Sequence, residues 1–338
     1  MKPAVLAPET ELRDTGKLAP PWPGRTVLLD GAQTHVRDTP GTSPQAEPAL
    51  YVHGLGGSSQ NWTDLADLLS HRLAGQAIDL PGFGRSDPAR SYTVAAFADR
   101  IIRWIEYADR GPVHLVGNSL GGAISVRVAG TRPDLVRTLT LVSPAMPFLD
   151  PRRSEQGRLL PLLAVPRADR LASRRLAQIE PADLASMVLA ACFADPERLH
   201  QQRLTEAMEE AKLRYTVPHY VDAYVRTLRG LVGTFLRAYL PGSNSLWRIA
   251  RRITAPTLVV GGRADRLVDV RVPAQVARLV PDSRLLLLDG VGHVAQMEVP
   301  RTVARAVLGL LDEVARSRQE ATSGRTRGVA PNRLRMAG

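Results

Sequence analysis

The sequence predicts an α/β fold: a mostly parallel sheet with helices on both faces and a helical cap inserted late in the chain. Three observations predict it. Short apolar runs of strand length alternate with longer segments whose apolar residues recur at helical spacing. Most of these runs are apolar throughout, as expected of strands buried on both faces. The alternation stops between about residues 145 and 252, where helical patterns continue without a convincing strand.

Each element follows from its local sequence. Residues 1–24 are Pro-rich and aperiodic, which predicts a flexible arm. "TVLLDGAQTHVRD" reads as a hairpin turning at Asp30-Gly31, and "TPGTSPQAEP" as a loop. "ALYVHG" is a strand ending in a glycine loop. Ser59–Ser70 is a helix with Trp62, Leu65, Leu68 and Leu69 on its apolar face. "LAGQAIDLPGFGRSD" is a strand followed by a turn-rich loop, and residues 93–109 are a helix with Thr93 as its N-cap. "PVHLVG" is the next strand, 120–131 the helix after it, and "VRTLTLVSPA" another strand. Within the cap, "PADLASMVLAACF" and "YVDAYVRTLRGLVGTFLRAYL" are helical. Beyond it, "APTLVVGG" and "SRLLLLDG" are strands separated by a helix near 272–280, and 300–314 is the final helix. The predicted organisation is an arm at 1–24, a core at 25–144 and 253–314, a cap at 145–252 and a basic flexible tail at 315–338.

Composition narrows the function. The 338 residues are 44% hydrophobic, enough for a substantial core. The single cysteine, Cys192, excludes an intramolecular disulfide. With no early apolar run of signal-peptide length and no membrane-spanning stretch, the expectation is a cytoplasmic protein. The net charge of +11 is unevenly placed: residues 152–252 hold seventeen Lys and Arg against ten Asp and Glu, and residues 315–338 hold six Arg against one Glu. Neither zinc-ligand spacing nor interleaved aromatic and basic residues accompany this charge, which argues against nucleic acid as a partner. A basic cap is suited to weak contact with an anionic membrane surface, weakened by salt, although arginine also simply keeps helical faces soluble.

The chemistry lies in the glycine turns. Gly117-Asn118-Ser119-Leu120-Gly121 fits G-x-S-x-G between a strand and a helix, the arrangement that lifts a serine out of a tight turn. A serine hydroxyl is a weak nucleophile and needs a base, which needs an orienting group. Of seven histidines, His293 follows the strand "LLLLDG" in a loop at the sheet edge where functional loops gather, and it is the predicted base. His53 ends a strand and His114 lies within one; both read as structural. For the acid, Asp265 lies in the loop after "TLVVGG", Asp269 nearer the next helix as a cap, and Asp289 in a turn; Asp265 is the predicted member. The backbone N–H groups of Leu55, in "HGLGGSS", and of Leu120 are the predicted oxyanion donors, with Gly54 the competitor to Leu55. No metal or organic cofactor is required by this chemistry.

"HGLGG", "DLPGFGRSD", "GNSLGG", "GGRADRLVD" and "GHVAQMEVP" occur in an order that resembles the α/β-hydrolase fold family, over about residues 25–314. The order Ser119, Asp265, His293 is similar to that family's nucleophile, acid and base. The resemblance implies that Asp79 fixes its loop, that Ser86 is not a nucleophile, and that Glu298 and Pro300 belong to the segment leading into the last helix. A serine at the turn separates the chain from relatives with an aspartate nucleophile, the haloalkane dehalogenases and epoxide hydrolases. Three readings follow. The first is a carboxylic ester hydrolase acting on a small-molecule ester with an apolar acyl group; motif pattern and cap length look similar to monoacylglycerol lipases. The second is a C–C bond hydrolase of ring-cleavage products, which "GNSLGG" and "GHVAQMEVP" resemble; the oxyanion loop lacks the proline common in that group, and Val294 and Met297 stand where tryptophans are often found. The third is a non-catalytic binding member of the fold, which an intact triad disfavours.

Overall fold

The computed structural model describes residues 1–13, 17–148, 178–241 and 244–327. Among the described residues nine strands form one sheet: β1 (Lys2–Pro3), β2 (Gly24–Leu29), β3 (Ala32–Thr39), β4 (Glu47–Val52), β5 (Leu73–Ile78), β6 (Val113–Asn118), β7 (Val136–Val142), β8 (Thr257–Gly262) and β9 (Ser283–Leu288). Their spatial order is β1-β9-β8-β7-β6-β4-β5-β3-β2. All pairings are parallel except β2 with β3 and β3 with β5. The β2–β3 hairpin turns at Asp30 and Gly31, with φ of 48° and 77°. A two-residue turn of this type matches strand twist only with both residues at positive φ, which is why Asp-Gly stands there.

Strands β4, β6, β7 and β8 are buried along most of their length; the polar His114 of β6 and Thr138 of β7 meet each other at 2.7 Å across the sheet. One face of the sheet packs on α2 (Val94–Ala108) and α3 (Leu120–Thr131), around Phe97, Ile101, Trp104 and Ile124. The other packs on α1 (Thr63–Leu69) and the C-terminal helix, around Tyr51, Trp62 and Leu308. Thr93 caps α2 by accepting the Ala96 N–H, as its sequence predicts. The segment from Ser59 begins as a 3-10 turn through Trp62 before α1 starts.

Between β7 and β8 the described chain forms α4 (Pro181–Cys192), α5 (Gln201–Thr216), α6 (Tyr220–Arg237) and α7 (Leu246–Ala250). Residues 149–177 of the predicted cap lie outside the described residues. The core then continues through α8 (Val272–Leu279), the short α9 (Ala295–Glu298) and α10 (Pro300–Arg327).

Two expectations are corrected. The arm at 1–24 is not flexible throughout. Lys2 and Pro3 pair with Arg284 and Leu285 at the sheet edge, Ala7 and Leu12 are buried, and the Ala7 N–H donates to the Arg305 carbonyl. A sheet edge tolerates proline because one side of the strand makes no ladder bonds. Likewise, residues 315–327 are not a flexible tail: they extend α10. Ala315, Arg316, Arg318, Gln319 and Glu320 are all good helix formers, so charge did not stop the helix. Residues 328–338 lie outside the described residues. No described helix is long and apolar enough to cross a membrane.

Candidate active site

The site is built at the C-terminal ends of β4, β6, β8 and β9. The chain runs from β4 to β5 on one side and then to β6 on the other, which opens a crevice between the loops following β4 and β6. Val52 pairs with Gly117, so these two loops start side by side.

Ser119 sits in the turn between β6 and α3 with φ 54° and ψ −116°. For a non-glycine residue such a conformation costs roughly 1–3 kcal/mol and persists only where the surroundings enforce it. They do so here. The Ser119 N–H donates to the Val142 carbonyl at 3.0 Å, and the Ser119 carbonyl accepts from Ala123 and Ala145. A Cβ at Gly121 would overlap the Val52 carbonyl oxygen, so only glycine lets α3 approach β4 this closely. Ser119 itself is half-buried.

Asp265 and His293 are brought together. His293 Nδ1 lies 2.9 Å from Asp265 Oδ2 and 3.1 Å from Oδ1, with both side chains almost fully buried. Asp265 Oδ1 also accepts the Leu267 and Val268 N–H groups, at 2.8 and 3.0 Å. Burial alone would push the Asp265 carboxyl up. The adjacent His293 ring and these two N–H donors outweigh burial and hold it below the usual carboxylate range. An ionised Asp265 fixes the proton on Nδ1, leaving Nε2 as the acceptor of the ring.

The rival acids are elsewhere. Asp269 pairs with Arg271 at 2.6 Å and accepts that residue's backbone N–H ahead of α8. Asp289 is 88% exposed and pairs with Arg263. Asp79 holds its loop by accepting the Ser59 and Arg85 N–H groups, and the Ser86 hydroxyl donates to the Asp79 carbonyl.

Gly54 packs against the turn: a Cβ there would lie 3.1 Å from Ser119 Cβ. Leu55 follows it, and Leu120 opens α3. Among the described residues, neither the Leu55 nor the Leu120 N–H has a backbone acceptor. The cap reaches this loop through Tyr220, whose hydroxyl donates to the Gly56 carbonyl at 3.4 Å.

His53 supports the loop from below. Its Nε2 accepts the Leu80 N–H at 2.9 Å, so its Nδ1 donates to the Gly54 carbonyl at 2.7 Å. Burial pushes this imidazole below its usual value, against the pull of Asp79. The unfolded chain takes up the proton near pH ~6.5 and the folded chain resists it, so stability is complete above that pH and is lost as pH falls below it. The thermal midpoint is expected to drop between pH 7.5 and 5.5, and to drop less in His53→Gln. Equal drops in both proteins would remove His53 from this role.

Two further residues matter that the motifs did not disclose. Asn118 Nδ2 donates to both the Val142 and His293 carbonyls, each at 3.1 Å, tying the His293 loop to the serine turn. Its signal was an amide at the end of a buried strand, directly before the serine. Glu298 is fully buried and accepts three backbone N–H groups: Gly292 at 2.7 Å, Asp195 at 3.1 Å and Ala194 at 3.3 Å. Arg198 stands 3.5 Å away. The His293 N–H in turn donates to the Cys192 carbonyl at 2.7 Å. One carboxylate therefore joins the His293 loop to the end of α4. Its signal was an acid among apolar residues in "GHVAQMEVP". Glu298→Ala leaves these donors unsatisfied and is expected to cost about 3 kcal/mol in denaturant unfolding at pH 7; a loss under 1 kcal/mol would show that the carboxylate does not hold the junction.

Residues 48–300 match the family of the alpha/beta hydrolase fold. The chain belongs to this family. Among curated relatives, it is 26% identical over 284 residues to a monoacylglycerol lipase of Xenopus laevis, covering 82% of this chain and 78% of that protein. It is 26% identical over 300 residues to the 2-hydroxy-6-oxo-6-(2'-aminophenyl)hexa-2,4-dienoic acid hydrolase of Metapseudomonas resinovorans, covering 86% and 91%. It is 28% identical over 265 residues to the dihydrolipoyllysine-residue acetyltransferase component of the acetoin cleaving system of Pseudomonas putida. That match covers 78% of this chain, which spans only 63% of the relative's length.

Proposed function

We propose that this α/β hydrolase cleaves carboxylic esters through an acyl-enzyme on Ser119, with apolar-acyl or monoacylglycerol-like substrates. The observation that carries this reading is the buried Asp265–His293 pair, tied through Asn118 to the turn that bears Ser119. His293 Nε2 takes the Ser119 proton as the hydroxyl oxygen attacks the ester carbonyl. Asp265 holds the imidazole tautomer and stabilises the imidazolium that forms. The Leu55 and Leu120 N–H groups donate to the oxyanion, each such donor being worth about 10²–10³ in rate. His293 then returns its proton to the leaving alcohol. Water, deprotonated by His293, attacks the acyl-enzyme, and the acid is released as the imidazolium returns that proton to the departing Ser119 oxygen.

The similarity to a monoacylglycerol lipase favours an ester with an apolar acyl group; the similarity to a dienoic acid hydrolase keeps C–C bond cleavage as a second reading. The apolar face of α6, which buries Ala223, Val225, Leu228 and Leu231, supports the first, since its Tyr220 end stands over the Gly56 loop. The test is turnover of 4-nitrophenyl esters of graded chain length and of 1-monoacylglycerols, beside a ring-cleavage dienoate, with Ser119→Ala as control. Ester turnover that exceeds dienoate turnover and disappears in Ser119→Ala is expected. Preferential dienoate cleavage would replace the ester reading with the second one.

A further inference from the structure

Several described arginines of the cap are ion-paired. Arg203 binds Asp64 and Glu206, Arg226 binds Asp222, and Arg198 binds Asp195. Arg237, at the end of α6, and Arg127, on α3, differ. Among the described residues neither guanidinium has a hydrogen-bond or ion-pair partner, yet both line one cavity of about 480 Å³ between α2, α3, α6 and α7. That volume is within the usual ~300–1,000 Å³ of small-molecule sites. No acid lines it. Its floor is apolar, with Val94 and Leu246 each 2% exposed, and Leu240 stands at its wall with 59% of its surface exposed. Leu236 and Tyr239, beside it in sequence, are also exposed.

Arg237 is exposed and Arg127 half-buried, so water solvates both in the free protein, and no acid among the described lining residues competes with an incoming anion for them. Their combined charge matches a dianion better than a carboxylate, and guanidinium presents its N–H groups in the geometry that phosphate oxygens accept. We infer that this cavity is a binding site for a phosphate monoester carrying a short apolar tail, with the head on Arg127 and Arg237 and the tail on Val94, Leu240 and Leu246.

The cavity is separate from the proposed catalytic centre. Ser119, Asp265, His293, Leu55 and Leu120 do not line it. Thr234, on its wall, is fourteen residues along α6 from the Tyr220 that touches the Gly56 loop, about 21 Å at 1.5 Å per residue. Arg127 is eight residues past Ser119, about 12 Å along α3.

The test is calorimetric titration of the full chain with octyl phosphate, inorganic phosphate, octanoate and octanol at low salt, repeated on Arg127→Gln/Arg237→Gln. A thermal melt checks that the double variant is folded. Octyl phosphate is expected to bind more tightly than the other three, and at least about tenfold more weakly to the double variant. Sedimentation with vesicles of phosphatidylcholine, with and without phosphatidate, then separates two sources of the same head. Retention by phosphatidate that the double variant loses assigns the head to a membrane lipid; octyl phosphate binding without retention assigns it to a free monoester. Absence of octyl phosphate binding, equal binding by the double variant, or tighter binding of octanoate would overturn the assignment.

Discussion

Ser119→Ala and His293→Ala are each expected to lower kcat for ester hydrolysis by about 10⁴–10⁶-fold while leaving the fold intact. Members of a nucleophile–base–acid unit act together, so loss of either the nucleophile or the base removes nearly all of the catalysis the unit supplies. The residual rate comes from the oxyanion donors and substrate binding, which both variants keep. Neither change should unfold the protein. Ser119 is only half-buried, and the backbone bonds of its N–H and carbonyl, rather than its hydroxyl, hold the turn. Alanine keeps the Cβ that already tolerates the positive φ. The check is kcat at saturating ester, with thermal melts showing a cooperative transition in both variants; His293→Ala is expected to melt lower than Ser119→Ala, because it leaves the buried Asp265 carboxylate without its ring partner. A Ser119→Ala protein retaining a tenth of the activity would place the nucleophile elsewhere.

Asp265→Asn should lower kcat about 10⁴-fold. Asparagine fits the same space, but its amide can donate where the carboxylate only accepts. It no longer fixes the proton on Nδ1, and it removes the negative charge facing the imidazolium. The Leu267 and Val268 N–H groups also lose the ionised oxygen they share. Asp289→Asn is the internal control, because Asp289 is exposed and meets only Arg263. It should stay within twofold of the parent. Reversed outcomes for the two variants would transfer the orienting role to Asp289.

Much of this arrangement was legible before any coordinates. Apolar runs such as "LVV" in "APTLVVGG" and "LLLL" in "SRLLLLDG" read as strands because nothing polar interrupts them, and their alternation with helical segments along the chain pointed to the parallel sheet. Asp265 was separable from Asp269 because only one of them lies in the loop itself; the structure pairs Asp269 with Arg271 instead. Other features were hidden for a physical reason. The roles of Asn118 and Glu298 depend on which distant backbone groups the fold carries to them, Val142 and His293 for one and Gly292, Ala194 and Asp195 for the other. No local pattern encodes those partners. The ends of the chain misled for the opposite reason. Proline content and positive charge describe solvation and backbone freedom, whereas an edge strand of two residues and a continued helix depend on the neighbours available, β9 for Lys2 and Pro3 and the preceding turns of α10 for Ala315 onward.

The central claim is that Ser119, activated by His293 and Asp265, forms the covalent intermediate. The most direct measurement is the intact mass of the protein after reaction with a fluorophosphonate, followed by peptide mapping of the adduct. The account predicts a single adduct on Ser119, absent from Ser119→Ala and formed far more slowly by His293→Ala. An unmodified parent protein, or an adduct on any other residue, would contradict it.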